Sequence, residues 1–453
     1  MAVIRRHALL ILLALTVGGR LTALIVLQPV LDFTQLGADI HGSEAYDVYA
    51  RSLLSTGVYG MTPGVADAAL PPLYSGALAL VYGLFGRGYW QVGLFHILLD
   101  AASVALLYAS ARRLFPGERG RWIGLLVGVF TACYPYLAFQ NLTLIDTPLW
   151  MLLLHLFVYL MIRLREQNHL GRGTWALALM AGLVLGLGTL TRPITPPLAL
   201  LLAVWFLFRR SFWQSFARLL PVALVSAAVV SVWIVRNALT LGAFIPMTTT
   251  SGANFWQGNS PWTIPVFEAG YDVQWTAPEG IDPTLDARAA DAQRFALAFE
   301  YLRDNAHDVP RLLWTKFLVH WNPQITPLRN PRPNERWRLE DGRLVVFQAE
   351  DSITGVTSAN VAYSTSLLDT VGRPLHVIYF GGLLLLALVS LPLTAHLWRD
   401  VALLWFVQLS MTVIYVAFHP STRYRSPSDP LLFVMSAAAL VLLWERWRKR
   451  RTG

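Results

Sequence analysis

The sequence has 453 residues, of which 55% are hydrophobic and 14% charged, and its mean hydropathy is +0.48. Soluble globular proteins carry closer to about a quarter charged residues. The formal net charge of +9 comes from basic residues dispersed between apolar runs, which argues against a nucleic-acid-binding protein. A single cysteine, Cys133, excludes an internal disulfide and a cysteine-based metal site.

Long apolar runs recur along the chain and predict an all-α polytopic membrane protein. The first run continues past Arg20 without a small-x-small cleavage site, so we expect an uncleaved first helix. We predict about ten transmembrane helices, near residues 8–30, 89–111, 122–139, 147–164, 174–191, 194–208, 219–235, 374–396, 400–418 and 428–445.

Two long connections divide the predicted helices into three parts. Residues 1–236 are expected to form an N-terminal transmembrane module with a catalytic first outer loop, 31–88. Residues 237–373 are expected to form a small outer loop domain, and 374–453 the C-terminal transmembrane helices with a basic tail. Residues 71–86 are too short for a span and predict an interfacial or re-entrant juxtamembrane helix. The segment 286–321 predicts two helices broken at Pro310.

Arginines concentrate at one side of the predicted spans, for example Arg112, Arg113, Arg209 and Arg210, followed by the tail "RWRKRR". The positive-inside rule then places both termini in the cytoplasm and both long loops outside. This distribution predicts a multi-pass membrane protein with cytoplasmic termini and an outward-facing site.

Arg20 and Asp100 lie near the middle of the first two predicted spans. An unpaired charge at the centre of a bilayer costs at least about 2.5–3.5 kcal/mol on insertion scales. We therefore expect a structural ion pair between them, with a substrate or proton path as the alternative.

The outer ends of the predicted spans carry a second set of polar residues. Arginine binds phosphate through paired donors and a permanent charge, and a nearby carboxylate can act as a general base. Such a face suits glycosyl transfer from a lipid-phosphate-linked sugar, although single arginines at an interface often only anchor helix ends or bind headgroups. The set comprises Asp146, Arg192, Arg236, Asn237, Arg423, Tyr424, Arg425 and Asp429.

Several motifs follow one another in a fixed order relative to the predicted spans. They are "EAYDVYARSLLSTGVYG", "PPLYSGALALVYGLFG", "NLTLIDTPLWMLLL", "LGLGTLTRP", "VWIVRNALTLGAFIPMTTTSGANFWQGNSP" and "STRYRSPSDPLL". In this order the chain resembles bacterial GT-C glycosyltransferases of the glycosyltransferase family 39 type, which include protein O-mannosyltransferases and aminoarabinose transferases. The resemblance implies inverting transfer from a polyprenyl-phosphate sugar to a hydroxyl of a lipid, glycan or protein acceptor outside the membrane.

The resemblance also implies a general base in the first outer loop. The family acid precedes the tyrosine of a Y-x-x-x-A-R element by three or four residues, but here Ser43 and Gly42 occupy those positions. The neighbouring acids are Asp39 and Glu44. Glu44 lies at the start of the helix predicted after Ser43, where a carboxylate stabilises the helix, so its presence has a structural explanation. We therefore favour Asp39 as the base and keep Glu44 as the alternative.

Two further residues of this stretch have simpler interpretations. Asp47 is four residues before Arg51 on the predicted helix, which ends at Gly57, and we expect a solvated surface pair. His41 assists or orients the base, or is merely exposed.

Other positions take their roles from the resemblance alone. Asp146 matches the second acidic position, which positions the acceptor or donor. Arg192, Arg236, Arg423 and Arg425 match basic positions and are expected to bind the donor phosphate. Substrate contacts are also expected from Asn237, Tyr46, Tyr424 and Trp256, with Trp256 equally explained by packing. Asp39 and Asp146 are a thin ligand set, so we expect no obligatory cofactor, although a divalent cation such as Mg or Mn is compatible with the family.

Two other functions fit the same face. A transporter or flippase for a lipid-linked sugar would share the charged residues, but the sequence shows no two-fold internal repeat. A catalytically inactive lipid-binding member of the fold would explain the missing family acid at residues 42–43.

Overall fold

The computed structural model describes residues 2–27, 44–329, 331, 335–348 and 370–452. Within them the chain is mainly helical, and the sheet is one antiparallel hairpin of Glu335–Glu340 and Arg343–Gln348. The helices are α1 (Ala2–Leu27), α2 (Glu44–Thr56), α3 (Pro72–Phe85), α4 (Tyr89–Leu114), α5 (Gly117–Ala132), α6 (Pro135–Gln140), α7 (Thr147–Glu166), α8 (Arg172–Thr191), α9 (Thr195–Leu207), α10 (Phe212–Leu241), α11 (Ser251–Gly258), α12 (Thr263–Glu268), α13 (Ala287–Asp304), α14 (Val309–Trp321), α15 (Arg373–Leu393), α16 (Trp398–Ala417), α17 (Thr422–Arg425) and α18 (Asp429–Thr452).

Eight helices in the described part of the chain are long and apolar enough to cross a membrane. They are α1, α4, α7, α8, α10, α15, α16 and α18, and they confirm an all-α, multi-pass membrane protein. The predicted spans near 122–139 and 194–208 correspond to the shorter helices α5 and α9. Helix α5 ends at Ala132 because Pro135 favours an extended conformation in Tyr134 (φ −68°, ψ 112°) and begins the short helix α6.

Close helix packing in the bundle depends on small residues. On α8, a Cβ added to Gly182 would meet the backbone oxygen of Val222 at 2.7 Å, and one added to Gly186 would meet Cβ of Val229 at 2.7 Å. These glycines let α8 and α10 approach closely, as small residues do between membrane helices. Helix α7 is the most enclosed of the candidate spans, because 72% of its apolar 18-residue stretch is buried. Residues at its start are therefore held on a rigid element.

The predicted ion pair within the first two spans is confirmed. Arg20 Nε donates to Asp100 Oδ2 at 3.0 Å, and both side chains are buried. The other Arg20 nitrogens donate to the carbonyl oxygens of Ala132 and Thr131, while Asn141 Nδ2 donates to Asp100 Oδ2. The pair therefore ties α1 and α4 to the end of α5.

The first long connection contains α2 and α3, which pack on each other. Helix α2 ends where Gly57 takes a φ of +71°, as predicted. Helix α3 buries one face of the predicted juxtamembrane segment, with Tyr74, Leu78 and Tyr82 spaced by one helical turn. Asp39 and His41 lie outside the described residues. Glu44 is the first residue of α2.

The expectation for Asp47 is wrong in one respect. Its carboxylate contacts Arg51 Nε at 2.9 Å as predicted, but it is buried rather than solvated. It also accepts from Arg87 Nε and Nη2 at 2.9 Å and from the hydroxyl of Tyr82 at 2.8 Å. Burial alone raises the pKa of Asp47, but the hydrogen bonds from Arg87 and Tyr82 outweigh it and hold this pKa below its ordinary value. Asp47 therefore ties α2 to the end of α3 and to the short connection before α4.

The region between α10 and residue 329 contains α11 to α14 and packs over the same end of the bundle as α2 and α3. Thr249 N donates to the carbonyl of Ala68 at 2.9 Å, and Thr250 Oγ1 donates to that of Ala69 at 2.8 Å. The two predicted helices of 286–321 are confirmed as α13 and α14, with Pro310 in the first turn of α14. We call the end of the bundle that carries α2, α3 and α11 to α14 the loop end.

Candidate functional site

Asp146 and Arg192 meet at the loop end, at the start of α7 and just after α8. Arg192 Nε donates to Asp146 Oδ2 at 2.6 Å, and Nη2 donates to Oδ1 at 2.7 Å. Nη2 also donates to Thr147 Oγ1 at 3.0 Å. Burial raises the pKa of Asp146, but the charge and hydrogen bonds of Arg192 outweigh it and keep this pKa below its ordinary value. Asp146 is therefore an anion whose two oxygens are both engaged.

Arg423 approaches the same carboxylate from α17. Its Nη2 lies 3.7 Å from Asp146 Oδ1, beyond hydrogen-bond distance. Its guanidinium donates no hydrogen bond to any described residue, and its buried Nε has no partner among them. The side chain retains 29% exposure. Arg192 thus engages Asp146 through Nε and Nη2 and leaves Nη1 without a partner among the described residues, whereas Arg423 donates no hydrogen bond to them.

Two predicted tyrosines border these charges. Tyr46 of α2 is buried, and burial first, then the charge of Asp146, raises its pKa far above the ordinary value. Its ring meets that of Tyr74 edge-on at 4.9 Å. Tyr424 stacks on Tyr415 at 5.0 Å between ring centroids, beside the guanidinium of Arg423. Both hydroxyls are therefore neutral groups at the edge of the cluster.

Two further titratable residues at the loop end, Asp272 and His419, are not among the predicted site residues. Asp272 precedes the short 3-10 helix Val273–Trp275 and caps it by accepting from Gln274 N at 3.0 Å. His419 Nδ1 lies 4.0 Å from Asp272 Oδ1, and its ring meets Tyr424 edge-on at 5.2 Å. Burial raises the pKa of Asp272 to about 6, against the Gln274 amide and the charge of Arg423, which lower it. Neither residue belongs to a recognisable motif, so only the packing of the loop end reveals them.

Arg236 and Asn237 lie at the end of α10, where they hold the first long connection. Arg236 Nη1 donates to the carbonyl of Asp67 at 2.6 Å, and Nη2 donates to that of Tyr59 at 2.8 Å. Asn237 Nδ2 donates to the carbonyl of Ile245 at 2.9 Å. The structure thus places Arg236, a predicted phosphate-binding residue, and Asn237, a predicted substrate contact, on backbone carbonyls rather than beside Asp146.

Arg425 is also engaged by the protein. It is fully buried, its Nε donates to Asp429 Oδ1 at 3.1 Å, and its Nη1 donates to the carbonyls of His320 and Asn322 at 2.7 and 3.0 Å. Trp256 is buried in α11, and neither a hydrogen bond nor a ring contact joins it to Asp146 or Arg423. The predicted residues that the structure brings together are therefore Asp146, Arg192, Arg423, Tyr424 and Tyr46.

The described donor set at Asp146 does not fit a divalent cation. Both of its oxygens accept from Arg192. Within the described residues, no three histidine, cysteine, aspartate or glutamate side chains converge as metal ligands. The described side chains around Asp146 are thus arranged as an arginine–carboxylate pair and not as metal ligands.

Comparisons with known proteins concern the fold of the chain and the sequence family of one part of it. Residues 69–235 match the sequence family described as dolichyl-phosphate-mannose-protein mannosyltransferase. The apo oligosaccharyltransferase of Archaeoglobus fulgidus has a TM-score of 0.52 at 12% identity, over 99% of this chain and 51% of that one. The same enzyme with Zn and sulfate gives 0.51 at 12% identity, over 98% and 50%. ArnT from Cupriavidus metallidurans bound to undecaprenyl phosphate gives 0.41 at 14% identity, over 93% and 76%.

No curated protein matches the chain by sequence. The chain spans about half the length of the archaeal oligosaccharyltransferase. The chain shares its fold with that enzyme, and its residues 69–235 match the dolichyl-phosphate-mannose-protein mannosyltransferase family. Both findings support the resemblance that the sequence motifs indicate.

Proposed function

We propose that the protein transfers a sugar from a polyprenyl-phosphate donor to an acceptor hydroxyl at the outer face of the bacterial cytoplasmic membrane. The proposal rests on one observation: the guanidinium of Arg423 donates no hydrogen bond to the described residues, although it lies beside the buried Asp146–Arg192 pair. The oxygens of a phosphodiester at the membrane surface can accept hydrogen bonds from such free guanidinium N–H groups. The matching family takes its name from a dolichyl-phosphate sugar, which supports the same class of donor.

In the proposed reaction, a first-loop carboxylate takes the proton of the acceptor hydroxyl as the new bond forms. That carboxylate is Asp39, with Glu44 as the alternative. The acceptor oxygen attacks the anomeric carbon from the face opposite the phosphate, so the configuration inverts. The bond between the anomeric carbon and the phosphate oxygen breaks, and its electron pair leaves with polyprenyl phosphate.

The cluster supplies the electrostatic part of this reaction. Arg423 contacts the phosphate directly and stabilises the negative charge that grows on it as the leaving group departs. Asp146 stays ionised and holds Arg192 in place, so it acts by positioning rather than by taking a proton. Tyr46 and Tyr424 border the sugar. The arginine distribution of the predicted short loops supports an outward-facing site with cytoplasmic termini.

The proposal is tested by reconstituting the protein in vesicles with labelled polyprenyl-phosphate sugars and lipid, glycan or peptide acceptors. We expect release of polyprenyl phosphate together with a glycosylated acceptor. Loss of turnover in Asp39→Asn, with turnover kept in Glu44→Gln and in the exposed control Asp304→Asn, identifies the base. Translocation of intact donor without release of polyprenyl phosphate identifies a transporter. Binding of polyprenyl phosphate with neither activity identifies an inactive lipid-binding member.

A further inference from the structure

Lys316 of α14 is a fully buried lysine surrounded by oxygen atoms. Its Nζ lies 3.0 Å from the carbonyl of Gly258, 2.9 Å from Asn259 Oδ1, 3.3 Å from the carbonyl of Ala417 and 3.2 Å from that of Phe418. No carboxylate forms an ion pair with it among the described residues. Burial lowers the pKa of Lys316 to about 7, and these oxygens replace the water that its ammonium has lost.

Two of these oxygens belong to the end of a membrane helix. Helix α16 ends at Ala417, and the last carbonyls of a helix have no partner within it and carry partial negative charge. Phe418 leaves the helix at φ −89° and ψ −112°, so the chain turns away immediately. A cation at this position both satisfies the free carbonyls and complements the helix dipole. Lys316 thus supplies hydrogen-bond donors to the last carbonyls of α16 from a distant segment, whereas a C-terminal capping residue usually supplies them from the neighbouring chain.

The two chain segments that share Lys316 are in direct contact. A Cβ added to Gly258 would lie 1.7 Å from the carbonyl oxygen of Phe418, so only glycine fits there. Asn259 Nδ2 also donates to the carbonyl of Ala417 at 2.9 Å. The end of α11 and the end of α16 are therefore joined by the close contact of Gly258, the side-chain amide of Asn259 and the ammonium of Lys316.

The residues that follow this junction lead to the candidate site. His419 comes directly after Phe418 and lies 4.0 Å from Asp272, and Arg423 follows in α17. We propose that Lys316 is a positioning residue whose ammonium caps α16 and fixes the segment Phe418–Arg425, so that Arg423 is held beside Asp146. For its catalytic consequence, this inference rests on the proposed transfer function.

The first test does not depend on catalysis. Amide hydrogen exchange is followed in the segment Phe418–Arg425 of wild type, Lys316→Met and Arg311→Met. Arg311 is the matched control, because it lies on the same helix in an exposed pair with Glu268. We expect exchange in this segment to rise at least about tenfold in Lys316→Met and to stay unchanged in Arg311→Met, since charge-assisted hydrogen bonds are lost only in the former. Unchanged exchange in a folded Lys316→Met overturns the proposal.

The second test is chemical rescue of Lys316→Ala at pH 6.5. n-Propylammonium replaces the missing side-chain atoms and the charge, whereas n-propanol replaces the volume without the charge. We expect n-propylammonium alone to restore exchange protection of Phe418–Arg425, and to restore a transfer rate lowered about 100-fold by misplacement of Arg423. Equal effects of both compounds, or none, contradict the proposal. If Lys316→Ala does not fold, the milder Asn259→Ala must raise exchange in the same segment, and unchanged exchange in it also contradicts the proposal.

The two readouts separate the two proposals. A wild-type protein that transfers no sugar, but in which the ammonium governs exchange in Phe418–Arg425, refutes the proposed function and keeps Lys316 as the cap of α16. A wild-type protein that transfers sugar, with Lys316→Met equal to it in rate and exchange, keeps the function and refutes the role of Lys316.

Discussion

Arg423 forms an ion pair with Asp146 without a hydrogen bond, whereas Arg192 donates to both carboxylate oxygens. The Arg192 nitrogens lie 2.6 and 2.7 Å from these oxygens, whereas Arg423 Nη2 is 3.7 Å away. The two arginines therefore have different tasks, since one completes a buried ion pair and the other keeps its donors for a ligand.

This difference predicts opposite effects of two alanine variants. Arg192→Ala removes both charge-assisted hydrogen bonds from the buried carboxylate of Asp146 and is expected to destabilise the protein by about 3–5 kcal/mol. Arg423→Ala is expected to keep the wild-type unfolding midpoint but to bind polyprenyl phosphate about 10–100-fold more weakly, because it loses charge-assisted hydrogen bonds. Thermal unfolding in detergent and a titration with polyprenyl phosphate measure the two effects. Loss of stability in Arg423→Ala with normal lipid binding would reverse the assignment.

Arg425 provides a control two positions further along the chain. Its Nε donates to Asp429 and its Nη1 to two carbonyls, and the side chain is fully buried. Arg425→Met is therefore expected to lower the unfolding midpoint strongly. Its remaining folded fraction should bind polyprenyl phosphate with wild-type affinity. A stable Arg425→Met that has lost lipid binding would show that Arg425, rather than Arg423, contacts the phosphate.

Asp47 predicts an acid-sensitive contribution to stability. Its pKa is held below the ordinary value, so its ionised form stabilises the folded protein above the unfolded pKa. This contribution is lost as the pH falls through the folded pKa. Asp47→Asn is expected to cost about 1.5–3 kcal/mol near pH 7, with the difference from wild type shrinking in acid. Unfolding midpoints measured across pH test this, and a difference that grows in acid would contradict it.

Asp272 predicts the opposite dependence. Its folded pKa is raised from 3.8 to about 6, so ionising it costs stability above pH 6, and this cost disappears as the pH falls towards 4. Asp272→Asn keeps an acceptor for the Gln274 amide without the buried charge. It is expected to be more stable than wild type at pH 7.5, by about 3 kcal/mol, and equal to it near pH 4. A less stable variant at pH 7.5 would mean that the carboxylate is favourably paired.

The pair in the first two spans predicts unequal effects of its two partners. Arg20 donates to Asp100 and to two carbonyls, so Arg20→Ala leaves several buried acceptors without a donor. Asp100→Asn keeps an acceptor for Arg20 and removes one charge. We therefore expect a much lower yield of folded protein for Arg20→Ala than for Asp100→Asn, measured by size-exclusion chromatography after purification. Equal, wild-type-like yields would refute the importance of the pair.

Local rules predicted much of this fold. Proline and glycine marked the break at Pro310 and the end of α2 at Gly57, and the cost of an unpaired charge in a membrane predicted the Arg20–Asp100 pair. These features depend on short sequence windows or on a single strong energy. Asp47 was misjudged because its second arginine, Arg87, comes from another helix end and removes it from solvent.

The site was less predictable, for a physical reason. Every arginine at the loop end has five donors to satisfy, and the sequence does not tell which of them are taken by backbone carbonyls. Arg236 and Arg425 donate guanidinium N–H groups to backbone carbonyls, while Arg423 does not. Asp272 and His419 are brought together only by the packing of distant segments. Asp39, the favoured base, lies outside the described residues.

The most direct test of the account is the release of polyprenyl phosphate from a labelled polyprenyl-phosphate sugar by the reconstituted protein. Wild type and Arg423→Ala are compared at equal amounts of folded protein and with the same acceptor. The account predicts release coupled to glycosylation of the acceptor in wild type, and a strong loss of both in Arg423→Ala. Equal release by the two proteins would contradict a phosphate-binding role for Arg423, and no release by wild type with any donor would contradict the proposed transfer.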